Sequence, residues 1–382
     1  MTSYAVAQII GLYLPLTETF IYEYLINMRR FRPEVFTEKI ENLDLFPLES
    51  VNLVRKSGIL ERAVDKIAQP LIGYKILNDS KYLKLFRKKK IGLVHVHFGW
   101  YAPSMVTIAE RLNIPLITTF YGADMSVLPT QEYYKKAYKK LFAIGDLFLV
   151  EGSNMKKDLE KLGCPKEKIR IQHIGIDLEK FAIKTRNGAN GNQTIRILMC
   201  NSFREKKGTL VGIKAFARSL KHFKNIELHI VGDGILRDQI EGLIKELKIG
   251  DKVKLFGYQK HEFYRKELAE AHIFMAPSFT ARDGDSEGGA PTVLLEAQAS
   301  GIPVLSTFHA DIPEVTINKK SSFLVPEKDP ESLSDKLNLL LGRPEIWPEM
   351  GKIGRAHIEA HYNIRKEVEK LENIYNEFYV KH

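Results

Sequence analysis

One stretch of the chain, residues 283–306, constrains the fold more than any other. It reads DGDSEGGAPTVLLEAQASGIPVLS. It opens with glycines and acidic residues, which do not build a core, and continues with an apolar run, Val293 to Ala299, that contains Glu296. Gly301 and Pro303 then precede a short strand-like run. The pattern predicts a loop, a helix, a turn and a strand, in that order.

The start of this predicted helix is suited to binding a phosphate. Pro291 fits the first helical turn, where its missing N–H costs nothing. The backbone N–H groups of Thr292 and Val293 would then point out of the helix, and a helix N-terminus after a glycine-rich loop is a ready anion site. Glu287 and Glu296 would lie on either side of the phosphate and accept hydrogen bonds from hydroxyl groups. A sugar nucleotide, with a ribose on one side and a hexose on the other, presents that pattern.

Length and composition indicate an ordinary globular protein. A chain of 382 residues is expected to form two domains, and its 44% hydrophobic and 27% charged residues are typical of soluble proteins. No apolar run is long enough to span a bilayer, and the N-terminus lacks a secretion signal, so we expect a cytoplasmic protein. Cys164 and Cys200 lie far apart and predict neither a disulfide framework nor a metal site.

The net charge of +10 is concentrated in two segments that mix bases with aromatic residues, 81–90 and 133–142. Two interpretations carry similar weight. Each segment can be a solvated helix face, or the two can form a surface that contacts anionic lipid headgroups, which would make the protein peripheral on the inner face of the cytoplasmic membrane. Nucleic-acid binding is less favoured, because no recognition motif accompanies the charge.

Strand-like and helix-like segments alternate along the chain. The predicted strands are 5–10, 91–96, 116–120, 147–150, 169–173, 195–200, 226–231, 253–256, 273–276 and 303–305. The predicted helices are 17–29, 59–89, 102–112, 153–162, about 207–222, 235–248, 261–271 and 291–300, a helix beginning at 329–330, and a helical tail over 346–382.

The alternation predicts an α/β fold with two doubly wound parallel sheets, one in each of two similar domains that face each other across a cleft. The polar segment 184–194 marks the boundary. We therefore expect one domain over 1–183 and a second over 184–362, with a helix over about 363–382 packing back on the first; the resemblance given below implies that the first binds an acceptor and the second a donor. Ligands of such sheets bind at the carboxyl ends of the strands.

Several polar residues follow predicted strands at those ends. Arg204 and Lys207 are suited to a diphosphate, although an ordinary charged loop would look the same. In the first domain, His97 and Tyr121 can each be a packed strand-end residue and Asp124 a helix cap. Their joint position at one sheet edge favours a wall of an acceptor site.

Two further kinds of site are less favoured. Asp283 and Asp285 resemble an acidic pair for a hard cation, but Asp-Gly-Asp is common turn chemistry and no His or Cys accompanies it, so we expect no metal. No motif for a Ser/His/Asp triad or an activated cysteine is present.

With these residues in view, the chain resembles the retaining glycosyltransferases of family 4, which have the GT-B fold of two facing Rossmann-like domains. Within the family it looks most similar to the bacterial exopolysaccharide or colanic-acid type. The supporting segments are 15–21 (PLTETFI), 95–99 (HVHFG), 119–124 (TFYGAD), 173–177 (HIGID), 205–208 (EKKG) and 287–303.

The resemblance implies roles for individual residues. Glu296 would hold the nucleotide ribose and Glu287 the hydroxyls of the donor sugar, while Lys207 and Arg204 would stabilise the diphosphate. The implied catalytic residues are Glu287, Lys207 and Arg204. The implied donor-binding residues are Glu296, Thr292, Val293, Gly288, Gly289, Ala290, Gly257 and Tyr258, the last two facing the base. The implied acceptor-side or sugar-side residues are Thr17, Glu18, His97, Tyr121, Asp124 and His173.

The chain departs from the family pattern at three places. Glu287 and Glu296 have eight residues between them where the family usually has seven, so Gly288 or Gly289 is expected to bulge. The family arginine position falls on Ser202, which displaces Arg204. Tyr121 stands where the family often has histidine, so any contact to the donor sugar would come from a phenol.

The implied reaction transfers a hexosyl group from a nucleotide diphosphate sugar to a saccharide or lipid-linked acceptor in bacterial cell-surface polysaccharide synthesis. A UDP-sugar is favoured and a GDP-sugar is next, with no other cofactor. The acceptor hydroxyl would attack from the face of the departing phosphate, which takes the proton. Two alternatives stay open: a sugar-nucleotide epimerase of the same architecture, and a non-catalytic nucleotide-sugar-binding protein.

Overall fold

The computed structural model describes residues 4–16, 18–54, 64, 79–186 and 194–379. The chain divides into two compact units, which we call unit 1 (Met1–Gly175 with Ile364–His382) and unit 2 (Ile176–Asn363). The division falls after Gly175, whereas the sequence analysis placed the boundary at the polar segment 184–194. Among the described residues, no helix combines the length and apolar character needed to cross a membrane.

Unit 1 is built on a parallel sheet with the strand order β5-β3-β1-β6-β7-β8-β9. Its strands are β1 (Tyr4–Ile9), β3 (Phe31–Thr37), β5 (Val51–Leu53), β6 (Ile91–His97), β7 (Leu116–Thr119), β8 (Leu147–Val150) and β9 (Ile169–Ile171), with a separate pair β2 (Leu12–Tyr13) and β4 (Lys39–Ile40). Its helices are Thr19–Asn27, Asp79–Lys89, Ala102–Leu112, Ala123–Ser126, Glu132–Ile144, Ser153–Lys161 and Ile364–Phe378, with short 3-10 turns at Leu128–Thr130 and Lys166–Lys168.

The two basic-aromatic segments form amphipathic helices of unit 1. Helix Asp79–Lys89 buries Tyr82 and Phe86, and helix Glu132–Ile144 buries Tyr138 and Phe142. All four rings belong to the main hydrophobic core of the unit, where burial of aromatic area is most stabilising. These four aromatic side chains therefore pack in the core, and the outer faces of the two helices carry the lysines and arginines.

The C-terminal helix Ile364–Phe378 packs within unit 1. Val368, Leu371 and Tyr375 share a hydrophobic cluster with residues of the central strands. The Glu372 carboxylate accepts hydrogen bonds from three consecutive backbone N–H groups, 29–31, at the start of β3. The predicted helical tail over 346–382 is therefore two helices, Trp347–His361 in unit 2 and Ile364–Phe378 in unit 1.

Unit 2 has a parallel sheet with the strand order β12-β11-β10-β13-β14-β15. Its strands are β10 (Ile195–Cys200), β11 (Ile226–Val231), β12 (Val253–Leu255), β13 (Ile273–Ala276), β14 (Val304–Thr307) and β15 (Ser322–Val325). Its helices are Thr209–Ser219, Arg237–Glu246, His261–Glu270, Thr292–Ala299, Ile312–Val315, Pro330–Gly342 and Trp347–His361, with 3-10 turns at Leu178–Lys180, Glu205–Lys207 and Pro344–Ile346.

Most predicted elements are confirmed within one or two residues, including β8, β10, β11 and β13 at their full bounds. The sequence analysis missed the strands β2, β3, β4, β5 and β15 and the short helices Ala123–Ser126 and Ile312–Val315. β3 contains Pro33 and the buried Glu34, whose carboxylate lies 3.0 Å from the ammonium of Lys89. A proline and a carboxylate argue against a strand on pattern alone, because proline cannot donate to the ladder. Most of the predicted helix 59–89 lies outside the described residues.

Candidate functional site

The sheet order of unit 2 reverses between β10 and β13, which pair directly. In an open α/β sheet, ligands bind outside the carboxyl ends of the strands at such a switch point. The loop after β10 carries Lys207, and the loop after β13 carries Glu287 and leads into helix Thr292–Ala299. The topology therefore brings two of the predicted site segments to one sheet edge.

Glu287 is held between a cation and a hydroxyl. The Lys207 ammonium lies 2.7 Å from its Oε2, and the Ser278 hydroxyl donates to its Oε1 at 2.7 Å. Burial alone would raise the pKa of Glu287, but the charges of Lys207 and Lys206 and the two hydrogen bonds outweigh it and lower that pKa. Glu287 is consequently a buried, ionised carboxylate, with 6% of its side chain exposed.

Lys206 braces the acidic loop that precedes Glu287. Its ammonium lies 2.9 Å from Asp285 and donates to the backbone oxygen of Ser286 at 2.8 Å. Asp283 instead accepts from the backbone N–H of Asp285, as in an Asx turn. Among the described residues, no group of three or more His, Cys, Asp or Glu side chains is arranged to hold a metal ion.

The predicted phosphate-binding helix spans Thr292–Ala299, with Pro291 as the residue before it rather than within its first turn. Thr292 and Val293 are half-buried, and the first N–H groups of a helix have no acceptor inside the helix. In the glycine loop before the helix, Gly288 has a φ of 76°, in the left-handed region. The backbone oxygen of Gly289 accepts from the N–H of Asp311 at 3.2 Å.

Glu296 lies one turn into this helix and is 7% exposed. Its Oε1 is 3.2 Å from Nε2 of His261, which begins helix His261–Glu270. The charge of Glu296 adds to burial in raising the pKa of Tyr264 well above its ordinary value, so that phenol stays neutral. The Glu296 carboxylate thus lies near a ring nitrogen and a buried, neutral phenol.

The remaining donor-side residues lie in loops of the same unit. Arg204 is exposed at the start of the 3-10 turn Glu205–Lys207, and its guanidinium has no ion pair with a described residue. Gly257 accepts a hydrogen bond from the N–H of Gly232, which joins the loops after β11 and β12, and Tyr258 beside it is 58% exposed. Roles for Arg204 and Tyr258 stay predictions.

In unit 1, His97 ends β6 and belongs to a buried polar network. Its Nδ1 lies 2.7 Å from the Tyr121 hydroxyl and its Nε2 lies 2.9 Å from Gln8 Oε1. Gln8 in turn donates to the hydroxyl of Tyr375 on the C-terminal helix. Burial lowers the pKa of His97 to about 3 and raises that of Tyr121 well above its ordinary value. Both groups are neutral at physiological pH.

Asp124 joins two loops rather than capping a helix by its first-turn N–H groups. Its carboxylate accepts from the backbone N–H groups of Gly99, Tyr121 and Gly122 at 2.8 to 3.1 Å. These residues follow β6 and β7, so the carboxylate fixes both loops at one sheet edge. Burial raises the pKa of Asp124, although the hydrogen bonds oppose that shift.

Other acceptor-side residues are only partly gathered. The Phe20 ring lies 5.0 Å from the Tyr121 ring, which brings the first turn of helix Thr19–Asn27, and Glu18 before it, to this edge. Burial raises the pKa of Glu18 to about 7. His173 follows β9 and pairs through Nδ1 with the backbone oxygen of Glu151 at 2.7 Å. Thr17 lies outside the described residues.

Sequence reasoning missed Ser278, Lys206 and His261. Ser278 follows β13 by two residues, and serine at such a position has no distinctive signal. Lys206 stands beside Lys207 in the EKKG segment, so only the structure shows which lysine contacts Glu287. His261 starts a helix after a polar loop. A histidine at a helix start beside a predicted site was the only indication in the sequence that it could belong to that site.

Two family models match consecutive parts of the chain: "Glycosyltransferase Family 4" over residues 23–180 and "Glycosyl transferases group 1" over residues 180–357. The amylovoran biosynthesis glycosyltransferase AmsK of Erwinia amylovora is 38% identical over 273 residues, or 70% of this chain. The putative colanic acid biosynthesis glycosyltransferase WcaL of Escherichia coli K12 is 33% identical over 274 residues, also 70% of this chain. In both cases the match spans 66% of the relative, slightly under two thirds of its length.

Solved structures of similar fold cover almost the whole chain. A glycosyltransferase from Rickettsia africae has a TM-score of 0.78 at 18% identity and covers 99% of both chains. Anabaena HepE in complex with UDP-glucose has a TM-score of 0.79 at 12% identity, covering 98% of this chain and 99% of its own. This likeness confirms the predicted fold class, GT-B, with two Rossmann-like α/β domains.

Proposed function

This chain belongs to glycosyltransferase family 4, and we propose that it is a retaining hexosyltransferase that uses a nucleotide diphosphate sugar. One observation carries the proposal. At the switch point of the unit 2 sheet, an ionised Glu287 is paired with Lys207, and a helix N-terminus follows in the same loop. The phosphates of a sugar diphosphate bind cations and unpaired backbone N–H groups, and its hydroxyls donate hydrogen bonds to carboxylates.

Each group has a separate part in this proposal. The diphosphate binds at the N–H groups of Thr292 and Val293 and at the Lys207 ammonium. Glu296 accepts from the ribose, and Glu287 accepts from the hexose. UDP is the favoured nucleotide, because HepE, of the same fold, binds UDP-glucose, and GDP is next.

The chemistry needs little beyond electrostatic stabilisation. As the bond from the hexose to the diphosphate breaks, negative charge grows on the departing phosphate, and Lys207 and the helix N-terminus stabilise that charge. The acceptor hydroxyl attacks from the same face and gives its proton to the departing phosphate. Arg204 is exposed beside the same turn and would supply a further positive charge for the phosphate.

Unit 1 is proposed to bind the acceptor, a saccharide or lipid-linked saccharide. The relatives AmsK and WcaL are named for amylovoran and colanic acid biosynthesis, which supports a role in bacterial exopolysaccharide synthesis. The exposed bases of helices Asp79–Lys89 and Glu132–Ile144 would let unit 1 rest on an anionic membrane. Co-sedimentation with phosphatidylglycerol vesicles tests this part separately, and no binding at low salt rejects it.

The first experiment is a thermal-shift screen of nucleoside diphosphates and nucleotide sugars, since a ligand of the native state raises its apparent stability. Transfer is then assayed with the nucleotide sugar selected, using bacterial lipid-linked oligosaccharide as acceptor. Lys207→Ala and Glu296→Ala are expected to abolish transfer while the protein stays folded.

Lys214→Ala and Glu246→Ala, at exposed positions of the same unit, are the matched controls and should keep full activity. Full activity in the Lys207 and Glu296 variants would reject the proposal. Isomerisation of the donor without acceptor would instead indicate an epimerase, and binding without turnover of any donor would indicate a non-catalytic protein.

A further inference from the structure

His309 lies beside Glu287, the residue proposed to bind the donor sugar. It contacts the backbone of Glu287 rather than its side chain. It follows β14 by two residues, and its side chain is 2% exposed. Its Nε2 is 3.2 Å from the backbone nitrogen of Glu287, and its Nδ1 is 2.7 Å from Oε1 of Glu327. The other oxygen of Glu327 accepts from the N–H of Thr280 at 3.0 Å, which fixes that carboxylate.

These two contacts determine the state of the imidazole. A backbone N–H can only donate, so Nε2 must be the acceptor and carries no proton. The proton of the neutral ring is then on Nδ1, where it donates to the Glu327 carboxylate. The Ser286 hydroxyl, 3.4 Å from Nε2, can donate to the same lone pair or turn away. The ring is thus held at both nitrogens, in one tautomer.

The same turn makes a second contact with the loop that follows Glu287. The N–H of Asp311 donates to the backbone oxygen of Gly289 at 3.2 Å. Between the two contacting residues, Ala310 has a φ of 47°, a left-handed conformation that is uncommon for a residue with a side chain. Backbone conformations of this kind persist where surrounding contacts determine them. Residues 309–311 therefore form hydrogen bonds with the Glu287 loop on both sides of Gly288, at Glu287 and at Gly289.

We propose that His309 is a positioning residue for Glu287: its unprotonated Nε2 fixes the backbone of the glutamate, and the turn at 309–311 stabilises the glycine loop that follows it. This inference deepens the proposed function and rests on it, because the orientation of Glu287 matters to catalysis only if that carboxylate binds the donor sugar. Lys207 and Ser278 hold the carboxylate of Glu287, and His309 holds its backbone N–H.

A matched pair of substitutions separates the two ring nitrogens. His309→Gln places an oxygen near the position of Nε2, so it keeps an acceptor for the Glu287 N–H and loses the donor to Glu327. His309→Asn places an amide near Nδ1, so it keeps the donor and loses the acceptor. Misplacement of a reacting group by about 1 Å can cost on the order of 100-fold in rate. We expect kcat to fall at least about tenfold in His309→Asn and to stay within a few-fold of wild type in His309→Gln.

Three measurements decide the proposal. The Kd for UDP, which has no hexose, should be unchanged in His309→Asn, whereas kcat with the donor chosen by the screen falls. In a Glu287→Gln background, His309→Asn should cost little more, because residues that act as a unit are non-additive. Equal losses in the Asn and Gln variants, or full additivity with Glu287→Gln, would overturn the assignment.

The third measurement needs no enzymatic turnover. Nitrogen-15 NMR of the histidine side chains in the full chain should show His309, identified by its loss in His309→Gln, as the neutral tautomer protonated at Nδ1. A ring protonated at Nε2 would refute the contact with Glu287 whatever the activity. If wild type turns over no nucleotide sugar but the tautomer is as expected, the proposed function fails while the placement of Glu287 by His309 stands.

Discussion

The ammonium nitrogen of Lys207 lies 2.7 Å from a carboxylate oxygen of Glu287, although 80 positions separate the two residues in sequence. The pair joins the loops on either side of the switch point of the unit 2 sheet. Its side chains are 20% and 6% exposed, so solvent screens the attraction only weakly. The lysine keeps the glutamate ionised, and the glutamate holds the lysine at the place where we propose the diphosphate binds.

Removing the lysine should destabilise unit 2 as well as stop transfer. Lys207→Met leaves a buried carboxylate without its main partner, and we expect a loss of about 2 kcal/mol in the free energy of unfolding, below the 3–5 kcal/mol of a fully buried pair because Lys207 is partly exposed. Urea denaturation of the variant and of the wild type measures this loss in the free energy of unfolding. The double variant Lys207→Met/Glu287→Gln should recover part of the loss.

The pH dependence of that loss has a defined sign. The pKa of Glu287 is lowered in the native state, so its pairing contributes stability that is present above the ordinary pKa of 4.5 and is lost as the pH falls through the native value. In Lys207→Met the Glu287 carboxylate can take up a proton, which removes the free-energy cost of burying its charge. The deficit relative to wild type should therefore be largest near pH 7 and shrink toward pH 4, and a deficit independent of pH would contradict the pairing.

The role of Glu296 can be separated from general damage by changing the ligand. Hydrogen bonds to a charged group contribute roughly 1.5–3 kcal/mol, so Glu296→Gln should weaken UDP binding by about 10- to 100-fold in Kd. Calorimetry with 2′,3′-dideoxy-UDP is the control, since that ligand lacks the hydroxyls that Glu296 is proposed to bind. The variant and wild type should bind the dideoxy compound nearly equally, and the same loss with both ligands would argue against a ribose contact.

The sequence predicted most elements of unit 2 well because several of its strands contain apolar runs bounded by polar loops, as in β13 and in β10 after Arg196. It named Lys207 and Glu287 separately, since each stands at the end of a strand in a distinctive motif. The resemblance placed both at one sugar-diphosphate site, but the contact between them was not predicted, because pattern alone does not say that β10 and β13 are neighbours in the sheet.

Residues that hold Glu287 in place without belonging to a motif carried no such signal. Ser278 and His309 are ordinary residue types in loops, and only the fold places them at the two ends of the Glu287 residue, one on its carboxylate and one on its N–H. Asp124 was predicted at the right sheet edge, but its carboxylate is occupied by three backbone N–H groups, which periodicity does not reveal.

Glu18 gives unit 1 a pH-dependent stability of the opposite sign to that of Glu287. Burial raises its pKa to about 7 from an ordinary value of 4.5. Below pH 4.5 the carboxyl is protonated in both states and the native state keeps its full advantage, which is then lost as the pH rises to 7. The Glu18→Gln variant should remove this decline, so its melting temperature should equal that of wild type near pH 4 and exceed it near pH 8. Equal melting temperatures at both pH values would show that Glu18 is solvated.

The glycine that follows Lys207 offers a final test of whether its loop must keep this conformation. Gly208 has a φ of 68°, in the left-handed region, and a Cβ added there would lie 1.9 Å from the backbone oxygen of Pro277. That oxygen belongs to the chain that leads from β13 toward Ser278 and Glu287, so a methyl group at 208 would push apart the two loops that the Lys207–Glu287 pair joins. Alanine is strained at positive φ even without such a contact.

Gly208→Ala should therefore lower the melting temperature of unit 2 and weaken UDP binding together. Gly242→Ala is the matched control: Gly242 lies within helix Arg237–Glu246, and an added Cβ meets nothing within 4 Å. Because glycine inside a helix costs roughly 0.5–1 kcal/mol relative to alanine, this control should raise stability slightly and leave UDP binding unchanged. If Gly208→Ala binds UDP with wild-type affinity, the loop after β10 tolerates displacement, and Lys207 does not need its observed position to contact the diphosphate.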